Sequence, residues 1–330
     1  MAKSPLIRDW LPIMLILAVF AAVPSVAQAM GQPFAIKVAS RILVFAIAAV
    51  GLNLVLGFGG MVSLLHAGLF GVGGYVVGIS SYHEFNGEAL MLGPVAWGGS
   101  GNLLITLPLA ALTSAAVASL MGVVSLRTSG SYFIMITLAF NQMLFYLAVS
   151  LDRYGGEDGL QMLGTLNLAG FDPSKRLVYF YAALSVLAVV LIFSQRLIGS
   201  RFGMVLRATA QNERRVKALG IPPIRYKLAA VAISGAICGL AGGLLAGGTQ
   251  FISPADMSWV RSGDLIVMCV LGGLGTVWGP VLGAACFLLL ELGLSGLTNA
   301  WQLPFGLIVI GMAVYLNGGL VGLLRRVRAA

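Results

Sequence analysis

The chain is poor in groups that make or break bonds. Its 330 residues hold two histidines (His66 and His83), three cysteines and eleven acids. There is no H-E-x-x-H and no aspartate pair within an apolar run. There is no G-x-x-x-x-G-K-[ST], and no Gly-Lys pair at all, so a phosphate-cradling P-loop is excluded. Cys238, Cys269 and Cys286 each stand in apolar sequence, an odd and scattered set that fits neither a disulfide framework nor a metal site. They read as small apolar residues. What remains is non-covalent chemistry, from polar side chains set singly into apolar stretches.

Four such groups, Asn53, Ser63, His66 and Tyr75, lie in GLNLVLGFGGMVSLLHAGLFGVGGY (51–75). A histidine at membrane depth is costly and is a functional candidate by default. An interhelical hydrogen bond is the plainer reading of His66. No acid stands near it in sequence, so it is not assigned a proton-carrying role. The eight glycines of this stretch let helix backbones approach closely, or let a helix break at membrane depth. Ser131, Thr137, Asn141 and Gln142 punctuate a second apolar run. Thr137 and Asn141 are four residues apart and share a helix face, which suits either a polar route or packing against a neighbouring helix. In GGEDGL (155–160), two glycines permit a sharp turn and Glu157-Asp158 concentrate negative charge.

The elements that hold these groups are membrane helices. Hydrophobic residues make up 59% of the chain and charged residues only 9%, against about 25% in soluble proteins. A spanning helix needs about 20 apolar residues. Ten candidates follow: 11–29, 36–56, 60–81, 102–126, 130–150, 177–195, 228–247, 262–275, 278–297 and 302–322. The eighth is short and meets the ninth at Gly-rich LGGLGTVWGP (271–280), so the pair also reads as one broken or re-entrant helix. For the first, Ala27-Gln28-Ala29 resembles a signal-peptidase site, but the preceding run is long for a signal sequence; an uncleaved helix is expected.

Charge sets the orientation. Lysines and arginines number 20, for a net charge of +9, and eight of them fall between Arg196 and Lys227. Placing Lys3 and Arg8 inside, ten alternating spans put Arg127, the 196–227 loop, Arg325, Arg326 and Arg328 inside too, 14 of the 20 basic residues. Glu84, Glu88, Asp152, Glu157, Asp158, Asp172, Asp256 and Asp264 then fall outside or at the outer boundary. Glu291 is the one acid well inside a predicted span. Two hydrophilic segments result, an outer loop 151–176 and an inner loop 196–227. Within the inner loop, Met204 to Leu219 predicts one short amphipathic helix, stopped by Pro222-Pro223.

At this loop the chain resembles a family, the permease subunits of ABC importers for branched-chain amino acids, in its LivM-like branch. The matching stretches are GLNLVLGFGGMVSLLHAGLFGVGGY, RTSGSYFIMITLAFNQM, GGEDGL, RRVKALGI (214–221) and SPADMSWVRSGDLIVMCVLGGLGTVWGPVLGA (253–284). The resemblance implies an all-α integral membrane fold of about ten helices in a single domain over 1–330, with two related halves near spans 2–5 and 7–10. It implies a cytoplasmic helix that couples to an ATPase through Arg207, Glu213, Arg214, Ala218, Leu219 and Gly220, with Gly220 ending the helix. Asn53, Ser63, His66, Tyr75, Thr137, Asn141 and Gln142 are candidates for the translocation path, and Glu157 and Asp158 for contact with an external solute-binding protein. The implied partners are a second homologous permease, two ABC ATPases, that binding protein, lipid and a small solute, with no nucleic acid. The chain itself needs no cofactor; ATP and Mg are used by the ATPases. The implied site is a bacterial inner membrane, crossed by alternating access, and the chain makes no covalent bond. Leucine, isoleucine and valine are the family's usual cargo, urea or other amino acids that of close relatives. Nothing in the expected path carries enough charge to clamp an α-carboxylate and an α-ammonium strongly. A lone channel or secondary transporter, or a membrane enzyme, would need buried charges or a catalytic set that the chain lacks.

Overall fold

The computed structural model describes residues 5–29, 31, 33–87, 90–92, 95–162, 176–296, 300, 302–315 and 318–323. Lys3, Glu88, Asp172, Arg325, Arg326 and Arg328, used above for orientation, lie outside them. Helix α1 (Pro5–Ala29) leads to α2 (Pro33–Asn53), which continues into a π-helical turn, Leu54–Phe58. Seven residues without helix follow. Then come α3 (His66–Asn86), a small hairpin of β1 (Leu90–Leu92) and β2 (Val95–Trp97), α4 (Leu103–Ser125) and α5 (Ser131–Val149). Two 3-10 turns, Asp152–Tyr154 and Gly156–Asp158, precede β3 (Leu160–Gln161). The second part holds α6 (Arg176–Gly199), α7 (Arg201–Gln211), α8 (Glu213–Ala218), α9 (Pro223–Thr249), β4 (Phe251–Ile252), a 3-10 turn Pro254–Met257, α10 (Trp259–Gly272), α11 (Gly279–Ser295) and α12 (Gln302–Tyr315).

Six of these helices are long and apolar enough to cross a bilayer, each running for 19 to 27 residues. Three sequence expectations need correction. The span expected over 60–81 is helical only from His66, because Gly60 takes a left-handed backbone (φ +65°) that ends the preceding helix. The span expected over 262–275 is α10, whose 14 residues reach about 21 Å, short of the roughly 30 Å hydrocarbon core. The single amphipathic helix expected from Met204 to Leu219 is two helices. Asn212 is extended between them (φ −158°, ψ 97°) and its side chain accepts from the Arg215 N–H to start the second.

Helix α9 is the axis of the body, packed by α2, α3 and α4. Its small residues make this possible. A Cβ on Gly242 would strike the Phe70 carbonyl, one on Gly239 the Ser114 side chain and one on Gly235 the Ala118 methyl. Gly73 of α3 faces the Gly239 backbone directly. In lipid no hydrophobic gain separates helix from solvent, so such close packing is what associates helices. The cysteines behave as expected of small apolar residues: none is bonded to another, and the Cys238 and Cys269 thiols donate to the Ala48 and Ala49 carbonyls of α2. Strands β3 and β4 pair antiparallel and tie the GGEDGL turn to the end of α9.

Overpacking a filled site costs about 1–3 kcal/mol, and here the obstacle is backbone. Gly242→Val is therefore expected to lower the unfolding free energy of the detergent-solubilised protein by at least about 2 kcal/mol. Gly306→Ala, at an open position, is the matched control and is expected to leave it unchanged.

Candidate functional site

The break between α2 and α3 is held by side chains from two other helices, α5 and α10. Thr137 of α5 accepts from the Leu64 N–H (3.2 Å) and Asn141, one turn on, accepts from the Gly68 N–H (2.7 Å). Asn141 also donates to the Met257 carbonyl (2.8 Å), joining the break to the Pro254–Met257 turn. Ser262 of α10 donates to the Leu64 carbonyl and accepts from the Ala67 N–H, at 2.6 and 3.0 Å. Ser63 accepts from its neighbour Leu65 (3.4 Å). Unwound backbone inside a membrane body must find its partners in protein, and these four residues supply them.

His66 opens α3 and is 1% exposed. Its Nε2 lies 2.7 Å from the Ser234 hydroxyl, which in turn donates to the Gly51 carbonyl at 2.6 Å. The hydroxyl proton is thus committed to Gly51. The Ser234 hydroxyl thus bridges His66 to the Gly51 backbone. A ring held this way is a strut between α2, α3 and α9. Asn53 donates to the Thr276 carbonyl (2.9 Å). Its other polar atom, Oδ1, is unpaired, as are the Tyr75 hydroxyl and Gln142 Oε1, all buried.

These bonds sort the candidates. A group that lines a solute route needs hydrogen-bonding capacity to spare. Ser63, Thr137 and Asn141 spend theirs on backbone, and Asn53 and His66 spend half. The Tyr75 hydroxyl and Gln142 Oε1 remain unpaired.

Sequence reading missed a cluster of charge. Arg41 of α2 meets Glu291 of α11 at 3.3 Å, and Arg261 of α10 faces Asp256 and Asp264 at 3.7 and 3.5 Å. Both guanidiniums lie over the Phe45 ring, 5.7 and 5.5 Å from its centroid. Arg41 lies eight residues, about 12 Å of helix, below the start of α2. The cluster adds charged side chains to a body in which sequence placed only one acid, Glu291, well inside a span. The physical reason is that the 254–257 turn folds back among the helices, Asn141 holding its Met257 carbonyl, and carries Asp256 with it. Arg41 within an otherwise apolar run was the available signal.

At the other end, α7 and α8 form a corner whose charges are partly used internally. Arg207 donates to the Ile198 and Gly203 carbonyls (3.1 and 3.3 Å), fastening α7 to the end of α6. Glu213 pairs with Lys227 (2.6 Å) and Lys217 (2.9 Å), fastening α8 to α9. Lys227, then Lys217, hold the Glu213 carboxyl below the usual range. Its ionised form therefore stabilises the corner above the ordinary glutamate pKa, and this is lost as pH falls through the lowered value. Half-exposed pairs of this kind contribute at most about 1 kcal/mol. Gly220 (φ +77°) ends α8, with Ile221 N–H to Val216 O and Gly220 N–H to Lys217 O closing a Schellman motif. Arg214, Ala218 and Leu219 stand out into solvent, Leu219 at 76% exposure. A cavity of 330 Å³ opens between the 59–62 segment, the α4–α5 turn and Thr209, with Glu213 and Lys227 among its lining residues. Glu157 and Asp158 are exposed on their turn, whose shape requires glycine at 155 and 159 (φ +91° and +87°).

A long helical body, a re-entrant turn and a protruding basic corner agree with the resemblance drawn from sequence. The family described as "Branched-chain amino acid transport system / permease component" matches residues 34–317. The chain belongs to this family. The permease is 26% identical over 314 residues to the LivM high-affinity branched-chain amino acid permease protein of Salmonella typhimurium, covering 88% of this chain and 70% of that one. It is 27% identical over 238 residues to a probable LivM of Methanocaldococcus jannaschii, covering 71% and 68%. The galactose/methyl galactoside import permease MglC of Salmonella typhimurium is 30% identical over 153 residues, 43% of this chain and 44% of its own. No solved structure matches the permease.

Leaving a buried polar group unpaired costs about 1–3 kcal/mol. Asn141→Ala strands the Gly68 N–H and the Met257 carbonyl together. It is expected to destabilise the permease by about 2–4 kcal/mol in a detergent-unfolding titration, whereas Gln142→Leu, removing an unpaired amide, is expected to change stability by less than about 1 kcal/mol.

Proposed function

We propose that this chain is the membrane permease subunit of an ATP-driven importer. It provides the path for leucine, isoleucine and valine, or for a related small polar solute such as urea or another amino acid. It works beside a second homologous permease, with two ATPases inside and a solute-binding protein outside, both of its own ends being cytoplasmic. ATP and Mg belong to the ATPases. Their closure on ATP is transmitted through the α7–α8 corner and switches the path between the two sides of a bacterial inner membrane. Partial identity with a galactose permease is consistent with shared machinery serving different cargo.

The observation that carries this reading is the corner itself. Met204, Leu219 and Ile224 are exposed apolar side chains (55, 76 and 47%) set beside exposed Arg214 and Arg215. An apolar projection with a basic rim, braced by Arg207 and Glu213, fits insertion into a groove of a partner. A loop that merely rests on lipid has no need of such bracing.

Two measurements test it. In proteoliposomes containing the assembled transporter, Leu219→Asp and Arg214→Glu are each expected to reduce substrate-stimulated ATP hydrolysis about tenfold, as for loss of an interface anchor, with all subunits still co-purifying. Unchanged stimulation overturns the coupling role. A reporter fused after Arg215 is expected to be cytoplasmic and one after Asp158 external; the reverse overturns the orientation.

A further inference from the structure

The charged cluster around Phe45 has no part in the reading above, and it is built unlike a structural lock. A lock between α2, α10 and α11 would be charge-balanced and tight. Here two guanidiniums face three carboxylates, and the separations of 3.3, 3.5 and 3.7 Å exceed the roughly 2.7–2.9 Å of a charge-assisted hydrogen bond. Only the Arg41–Glu291 contact is a hydrogen bond. Each guanidinium carries five N–H donors, so most are unspent. Arg41 also acts electrostatically on Asp256 and Asp264, and Gly71, one turn before Tyr75 on α3, packs against Met257 beside Asp256.

Three further observations point to a ligand. The Tyr75 side chain is 6% exposed and its hydroxyl has no partner. Glu291 Oε2 is buried without a partner while Oε1 holds Arg41. Helix α10 begins at this level, so the positive end of its dipole adds to the anion-binding side. Discontinuous helices that begin within a membrane body place their N-termini at anionic groups of a solute.

We infer that Arg41, Arg261, Asp256, Asp264, Glu291 and Tyr75 form a site for the charged end of a zwitterionic α-amino acid. The guanidinium pair takes the α-carboxylate. A carboxylate, in excess by one, takes the α-ammonium, and the Tyr75 hydroxyl completes the shell. The site rests on the importer reading and specifies what that reading leaves open, the recognition of cargo within the membrane. Loose pairing suits it, since a site that releases its solute inward cannot hold it tightly.

The test is binding by the assembled transporter in lipid nanodiscs without solute-binding protein, followed by saturation-transfer NMR. The probes are millimolar leucine, 4-methylpentanoate (no ammonium) and 3-methylbutylamine (no carboxylate). Leucine is expected to give signal, and each single-charge analogue about tenfold less. Arg261→Gln and Asp264→Asn are expected each to lower the leucine signal about tenfold, with subunit assembly retained. Glu291→Gln, which is isosteric and keeps an acceptor for Arg41, carries the test should the other two disturb assembly. No leucine signal in the parent, equal signals from all three probes, or undiminished leucine signal in the variants overturns the site. Variants that bind leucine normally but lose stimulation by the binding protein show a protein-docking surface instead, and also overturn it. Leucine uptake that needs ATP yet survives these variants overturns the site alone; leucine binding without ATP-driven uptake overturns the importer reading alone.

Discussion

A polypeptide that leaves helical geometry inside a membrane body has no water to satisfy its backbone. The structure depends on how this constraint is met at residues 59–65. Thr137, Asn141 and Ser262 reach that segment from α5 and α10, and Ser234 of α9 bonds His66 at its end. Each of them is therefore fixed in place by what it must satisfy. Asn141 ties together the start of α3 and the Pro254–Met257 turn, so the two irregular segments of the body are one bonded unit. The charged cluster shares Asp256 with that unit.

Close packing of α9 is the second condition. Its glycines let the α3 and α4 backbones approach closely, and Gly51 of α2 does the same against Ile237 and Ser234. The same approach brings Ser234 within reach of both His66 and Gly51, and the Cys238 thiol within reach of α2. Polar contacts that look like specific design are consequences of how near the small residues allow the helices to come.

Much of this was legible in the sequence, because apolar length and glycine density act locally. The helical membrane body, the break expected in 51–75, the turn at GGEDGL and the stop at Gly220 all follow from short-range rules. What was not legible is long-range. Arg41 and Glu291 are 250 residues apart, and Arg41 looks like a stray cation until α11 is placed beside α2. Ser253-Pro254 announces a break in the chain but not the direction in which the chain then turns. Asn212 was passed over because a polar residue in a polar loop carries no mark of its extended backbone. The polar candidates in spans could be found from composition, but which of them are spent on backbone depends on partners in other helices.

The extended residue at Asn212 has a mechanical consequence. Arg207 fastens α7 to α6, and the Glu213–Lys227 pair fastens α8 to α9. The two arms of the corner share one non-helical joint. Phe202 of α7 also packs against Tyr226 of α9. A load on either arm is therefore carried into α9, and a load on α7 into α6 as well, so the corner feeds both membrane helices through a joint that lets its arms take different angles.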